Sequence, residues 1–195
     1  RGERWYRDGR REKKVNTFTD FLAVARFLVE QKIAGKGRIV AMGASAGGLL
    51  MGAVANSAAE EFLGIIADVP FVDVLNTMSD DTLMLTPMEF PEWGNPIASK
   101  ADFDTIRAYS PYDNVAAHPY PHMLILGGLS DTRVNYWEPL KWAARLRATK
   151  TDDRPLLMET AIGAGHFGAS GRYTYLRRVA YIWAFALRIA GKGGN

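Results

Sequence analysis

The chain has 195 residues, a net charge of +3 and no cysteine. That length suits one domain with a full core, and the lack of cysteine excludes disulfides, thiolate zinc sites and a cysteine nucleophile. No run approaches the roughly 18 consecutive apolar residues of a membrane span, so no membrane partner is expected. In chain order, the positive excess comes first: residues 1–14 carry +4 and the rest −1. This opening lacks the apolar stretch of a signal peptide and reads as a solvated basic stripe without a recognisable element. Trp5 and Tyr6 are too few aromatics for a stacking platform, so nucleic acid is not an expected partner either. A chain that opens on Arg1 reads as part of something longer.

Phe18, Phe21, Leu22, Ala25, Leu28, Val29 and Ile33 recur at helical spacing, which predicts an amphipathic helix from 17 to about 33, capped by Thr17. The breaker Ala34-Gly35-Lys36-Gly37 follows, then a short buried strand over 38–42 and a helix of small and apolar residues from Ala46 to about Ala59. A second strand is predicted over 64–69, stopped by Pro70. Residues 71–120, punctuated by Pro87, Pro91, Pro96, Pro111 and Pro119, read as a long irregular stretch of the kind that is usually functional. Strands over 123–126 and 156–159, a helix over 137–148 and a closing helix over 171–189 complete the pattern. Alternating strands and helices predict an α/β fold with a mostly parallel sheet and helices on both faces. In such sheets ligands bind outside the carboxyl ends of the strands.

Three chemically able residues fall just after predicted strands. Ser45 lies in Gly43-Ala44-Ser45-Ala46-Gly47-Gly48 between a strand and a helix, the pattern of a nucleophile elbow. Asp131 follows the third strand and His166 the fourth, in Gly163-Ala164-Gly165-His166. The chain order Ser, Asp, His is that of α/β-hydrolases. A serine hydroxyl needs a base to take its proton as it attacks. Histidine titrates near the working pH, and a carboxylate fixes its tautomer and stabilises the imidazolium. The N–H of Ala46, at the start of the helix, is the candidate oxyanion donor. Asp68 also approaches a carboxyl end and is the alternative acid; Asp131 is favoured because it sits in a glycine-bounded loop. His118 and His122 read as ordinary turn or edge residues. No His/Cys/Glu group has zinc-ligand spacing and no phosphate-cradling Gly-x-x-x-x-Gly-Lys is present, so neither a metal nor a cofactor is expected.

The serine loop, Val69-Pro70-Phe71-Val72-Asp73, Glu92-Trp93-Gly94-Asn95-Pro96, Tyr109-Ser110-Pro111-Tyr112-Asp113, Tyr136-Trp137-Glu138-Pro139 and the His166 loop together resemble the oligopeptidase B branch of the prolyl oligopeptidase family of serine peptidases. The resemblance runs over nearly the whole chain. It implies an α/β-hydrolase fold, cleavage of short peptides after Arg or Lys, and Ser45, Asp131 and His166 as the triad. It further implies that Arg133 holds the substrate backbone and that Glu89 receives the basic side chain. A carboxylate suits a buried guanidinium, which is costly to bury unpaired; without the resemblance, Glu89 reads as a solvated loop acid. Some members carry a second acid two residues later, where this sequence has Pro91. The family enzyme also has a β-propeller and early hydrolase strands with an oxyanion tyrosine ahead of this region. Residues 1–195 thus read as one partial hydrolase domain lacking its N-terminal part. The alternatives are an esterase or acylaminoacyl peptidase with the same triad, or a fragment that is only a folded or binding module. A cytoplasmic location is expected, with the periplasm as the alternative.

Overall fold

The apolar runs pair side by side. In a computed structural model describing residues 2–191, β1 (Ile39–Ala44), β2 (Phe62–Asp68), β3 (His122–Gly128) and β4 (Leu156–Ala161) form a parallel sheet in the order β1-β2-β3-β4. Each strand boundary falls within two residues of its prediction. The register brings Ala44 opposite Asp68, Asp68 opposite Leu126, and Gly128 opposite Ala161, so the carboxyl ends line up along one edge of the sheet.

Successive strand residues point to opposite faces. Ile65, Ala67, Met123 and Ile125 enter a large core with α2 (Val15–Glu30), α3 (Ala46–Ser57) and α7 (Trp137–Thr149). Ile66, Leu124 and Leu126 meet Ile182 and Phe185 of α8 (Arg172–Ile189) on the other face. Helices thus cover both faces, as expected. The closing helix buries a narrower stripe than its composition suggests, since Tyr173, Tyr175, Leu176, Trp183 and Leu187 are exposed.

Five expectations need correction. The opening residues are not featureless: α1 (Gly2–Arg7) and a 3-10 turn (Arg11–Lys13) precede α2. Nor is the basic stripe wholly solvated, because Lys14 is buried; Arg1 lies outside the described residues. Thr17 is not the cap of α2. It sits inside the first turn, its Oγ1 donating to the Gly9 carbonyl at 3.3 Å, while Lys14 takes the cap position without a side-chain capping bond. The helix ends at Glu30, before the glycines, because Lys32 turns left-handed at φ 57°, and Ile33 beyond it is exposed. Finally, the stretch 71–120 contains α4 (Val74–Met78), α5 (Thr86–Trp93) and α6 (Lys100–Tyr109). Pro87 sits in the first turn of α5, where a missing N–H costs nothing. Ser99 caps α6 by accepting from Asp102 N at 3.2 Å.

Candidate active site

Ser45 occupies the hinge between β1 and α3 at φ 56°, ψ −119°, a conformation few non-glycine residues adopt. The β2 exit holds it there from both sides: Ser45 N–H donates to the Asp68 carbonyl at 2.9 Å, and the Ser45 carbonyl accepts from Phe71 N–H at 3.0 Å. The turn tolerates no side chain at two neighbours. A Cβ on Gly43 would strike the Gly47 carbonyl, and one on Gly48 would strike Pro70. Gly47 differs, having nothing within 4 Å of a built Cβ. Ala46 opens α3, in the first turn, where N–H groups have no intrahelical acceptor.

Asp131 is buried in the loop after β3 and uses both carboxylate oxygens. Oδ1 accepts from Arg133 N–H at 2.8 Å and Val134 N–H at 3.0 Å, an Asx-type turn that fixes the side chain. Oδ2 lies 2.8 Å from His166 Nδ1. The two loops are also joined through backbone: Ser130 N–H donates to Ala164 O at 3.0 Å, and Leu129 N–H to Ala161 O at 3.1 Å. Asp68, the alternative acid, is taken up elsewhere, since Arg178 of α8 grips it through Nε at 3.3 Å and through Nη2. His118 and His122 lie at the amino end of β3. His118 stacks on Tyr120 at 4.1 Å, and burial holds His122 below the usual imidazole range.

Five of the six predicted site residues, Ser45, Ala46, Glu89, Asp131 and Arg133, line one cavity of about 800 Å³. His166 is joined to them through Asp131; Ser45 Oγ makes no hydrogen bond among the described residues. Glu89 is not a solvated loop acid: it lies half-buried on α5, with Oε2 accepting from Trp93 Nε1 at 2.5 Å. Arg133 is exposed and its guanidinium sits 5.3 Å over the Phe167 ring.

A family model for the prolyl oligopeptidase family matches residues 1–193. The chain belongs to the prolyl oligopeptidase family. Among its relatives there, Protease 2 of Moraxella lacunata is 52% identical over 186 residues, covering 95% of this chain and 27% of the relative. Dipeptidyl aminopeptidase BI of Pseudoxanthomonas mexicana is 50% identical, covering 95% and 26%. In structure, oligopeptidase B from Leishmania major superposes with a TM-score of 0.92 at 42% identity, and the Trypanosoma brucei enzyme with covalently bound antipain at 0.91 and 46%. These structures cover 95% and 94% of this chain and 26% of each neighbour, so the chain spans about a quarter of the length of its prolyl oligopeptidase relatives.

Two groups beside the site escaped the sequence reading. Glu138, at the start of α7, is fully buried; its Oε2 accepts from Val72 N–H at 3.1 Å and Asp73 N–H at 3.0 Å, and its Oε1 from Thr77 Oγ1 at 2.7 Å. Burial pushes its carboxyl up to about 7, partly offset by those donors. It therefore ties the helix after the Asp131 loop to the segment after β2 that holds Ser45. A sequence signal existed, because Glu138 is in helical phase with the buried Trp142 and Leu146. The second group is Lys14, in phase with the buried Phe18, Leu22 and Ala25.

Proposed function

We propose that the protein is a serine peptidase that hydrolyses short peptides after Arg or Lys. The single observation carrying the reading is the Asp131 Oδ2 to His166 Nδ1 contact of 2.8 Å, made by a buried carboxylate in the cavity that also contains Ser45 and Glu89. In this reading His166 Nε2 takes the proton of Ser45 Oγ as the oxygen attacks the scissile carbonyl. Asp131 holds the proton on Nδ1 and stabilises the imidazolium. The oxyanion that forms is met by the Ala46 N–H. His166 then protonates the departing amine, leaving an acyl-enzyme on Ser45, and a water activated by the same imidazole releases the acid. Glu89 takes the cationic side chain of the residue before the scissile bond, and Arg133 takes a substrate carbonyl.

The test is hydrolysis of an arginyl amide by the full-length protein and its Ser45→Ala variant. Activity is expected to vanish in the variant, and an active variant overturns the reading. An alanyl or acetylated substrate separates it from the esterase and acylaminoacyl peptidase alternatives, because Glu89→Gln should damage only arginyl turnover.

A further inference from the structure

The cavity is lined by three carboxylates among the described residues, and they are in different electrostatic states. Asp131 is engaged by His166. Glu89 meets only a neutral donor, Trp93 Nε1, on one of its oxygens. Glu92, one helical turn beyond Glu89 on α5, is ion-paired through Oε1 with Lys14 Nζ. Lys14, immediately before α2, lines the same cavity. Its side chain is only 8% exposed and its ammonium lies 4.4 Å from the centroid of the Trp93 ring. One indole thus serves both acids: its N–H binds Glu89 while its face carries the cation that binds Glu92. Arg10, a further cation near Glu92, is half-exposed and donates to the Tyr6 hydroxyl at 3.1 Å.

We propose that Lys14 is a specificity-determining residue, which neutralises Glu92 inside the cavity and leaves Glu89 as the one carboxylate available to a single cationic side chain. A free Glu92 would add a second negative charge one helical turn beyond the first and deepen the potential felt by any cation entering. A buried ammonium with a ring beneath it and a carboxylate before it is held in place, and does not compete for Glu89. Pro91, one residue earlier, offers no charge, so the acidity of this wall is set by the Lys14 and Glu92 pair. The inference rests on the reading of Glu89 as the group that receives a basic side chain.

The experiment measures binding of acetyl-arginine amide and its uncharged isostere acetyl-citrulline amide to the full-length protein by NMR titration. Lys14→Met keeps the apolar stem over Trp93 and removes the charge, and is expected to raise the arginine-to-citrulline affinity ratio about tenfold. Glu92→Gln strands the lysine charge in the cavity and should lower the ratio by a similar factor. The double variant should return to within about threefold of the parent, which a merely structural loss of packing would not do. If the parent shows no preference for arginine, the reading of Glu89 falls. If the parent prefers arginine but the ratio is the same in all four proteins, the role assigned to Lys14 falls.

Discussion

Replacing Glu138 by glutamine removes a titrating group while keeping its shape. The geometry favours a clean exchange: Oε2 receives both backbone N–H groups and Oε1 only the Thr77 hydroxyl, so an amide nitrogen can take the Oε1 place and donate to Thr77 Oγ1. In the folded protein the carboxyl keeps its proton up to about 7, against an ordinary value of 4.5, because burial penalises the anion. Between those values the folded chain holds more protons than the unfolded one. The stability conferred by the protonated group is therefore complete below about 4.5 and is lost as the pH rises to about 7. A shift of this size corresponds to about 3 kcal/mol at about 1.4 kcal/mol per pKa unit. Denaturant unfolding of both proteins from pH 4.5 to 8.5 isolates this group, since the other titrations cancel in the difference. The glutamine variant should match the parent at the acid end and exceed it in stability by about 3 kcal/mol above pH 7. A difference that is flat with pH, or one that grows toward acid, would refute the account of Glu138 as a desolvated acid.

Asp131→Asn keeps an acceptor for the Arg133 and Val134 N–H groups but turns an amide toward His166 Nδ1, forcing the wrong tautomer. Turnover of an arginyl amide should fall by about 10⁴-fold while the melting temperature changes little. Trp93→Phe keeps a ring under Lys14 and removes the donor to Glu89, so KM for arginyl substrates should rise with little change in kcat, as steady-state kinetics will read. Gly43→Ala drives a methyl into the Gly47 carbonyl and should destabilise the fold by about 1 to 3 kcal/mol in denaturant unfolding, with Ser45 activity lost in the folded fraction.

What could be read from the sequence was what depends on near neighbours. The strands declared themselves as apolar runs, the elbow as glycines around Ser45, and the candidates Ser45, Asp131 and His166 as an order of residue types at strand ends. The helices inside 71–120 are concealed in the sequence because Pro87 reads as a breaker when taken alone, although the same residue is at home in a first turn, and because the Ser99 cap of α6 lies among polar and proline-flanked residues. Asp131 is preferred to Asp68 already from its glycine-bounded loop, whereas the partner that takes up Asp68, Arg178, is 110 residues away and leaves no local trace. Lys14 and Glu92 are 78 residues apart, and nothing local to either predicts their meeting. Glu138 was legible in principle, since a charge in phase with Trp142 and Leu146 has to be buried; what it binds was not.

Gly47 is the member of the serine loop that its surroundings do not require. It lines the cavity two residues after Ser45, in the first turn of α3, and a side chain added there would meet only open space. The backbone would not have to move to accept one. This makes position 47 a natural dial for the cavity: alanine, serine or valine would narrow the chamber step by step from α3, leaving the strained hinge at Ser45 untouched. The width of the chamber can thus be changed at this one position without disturbing the residues next to it.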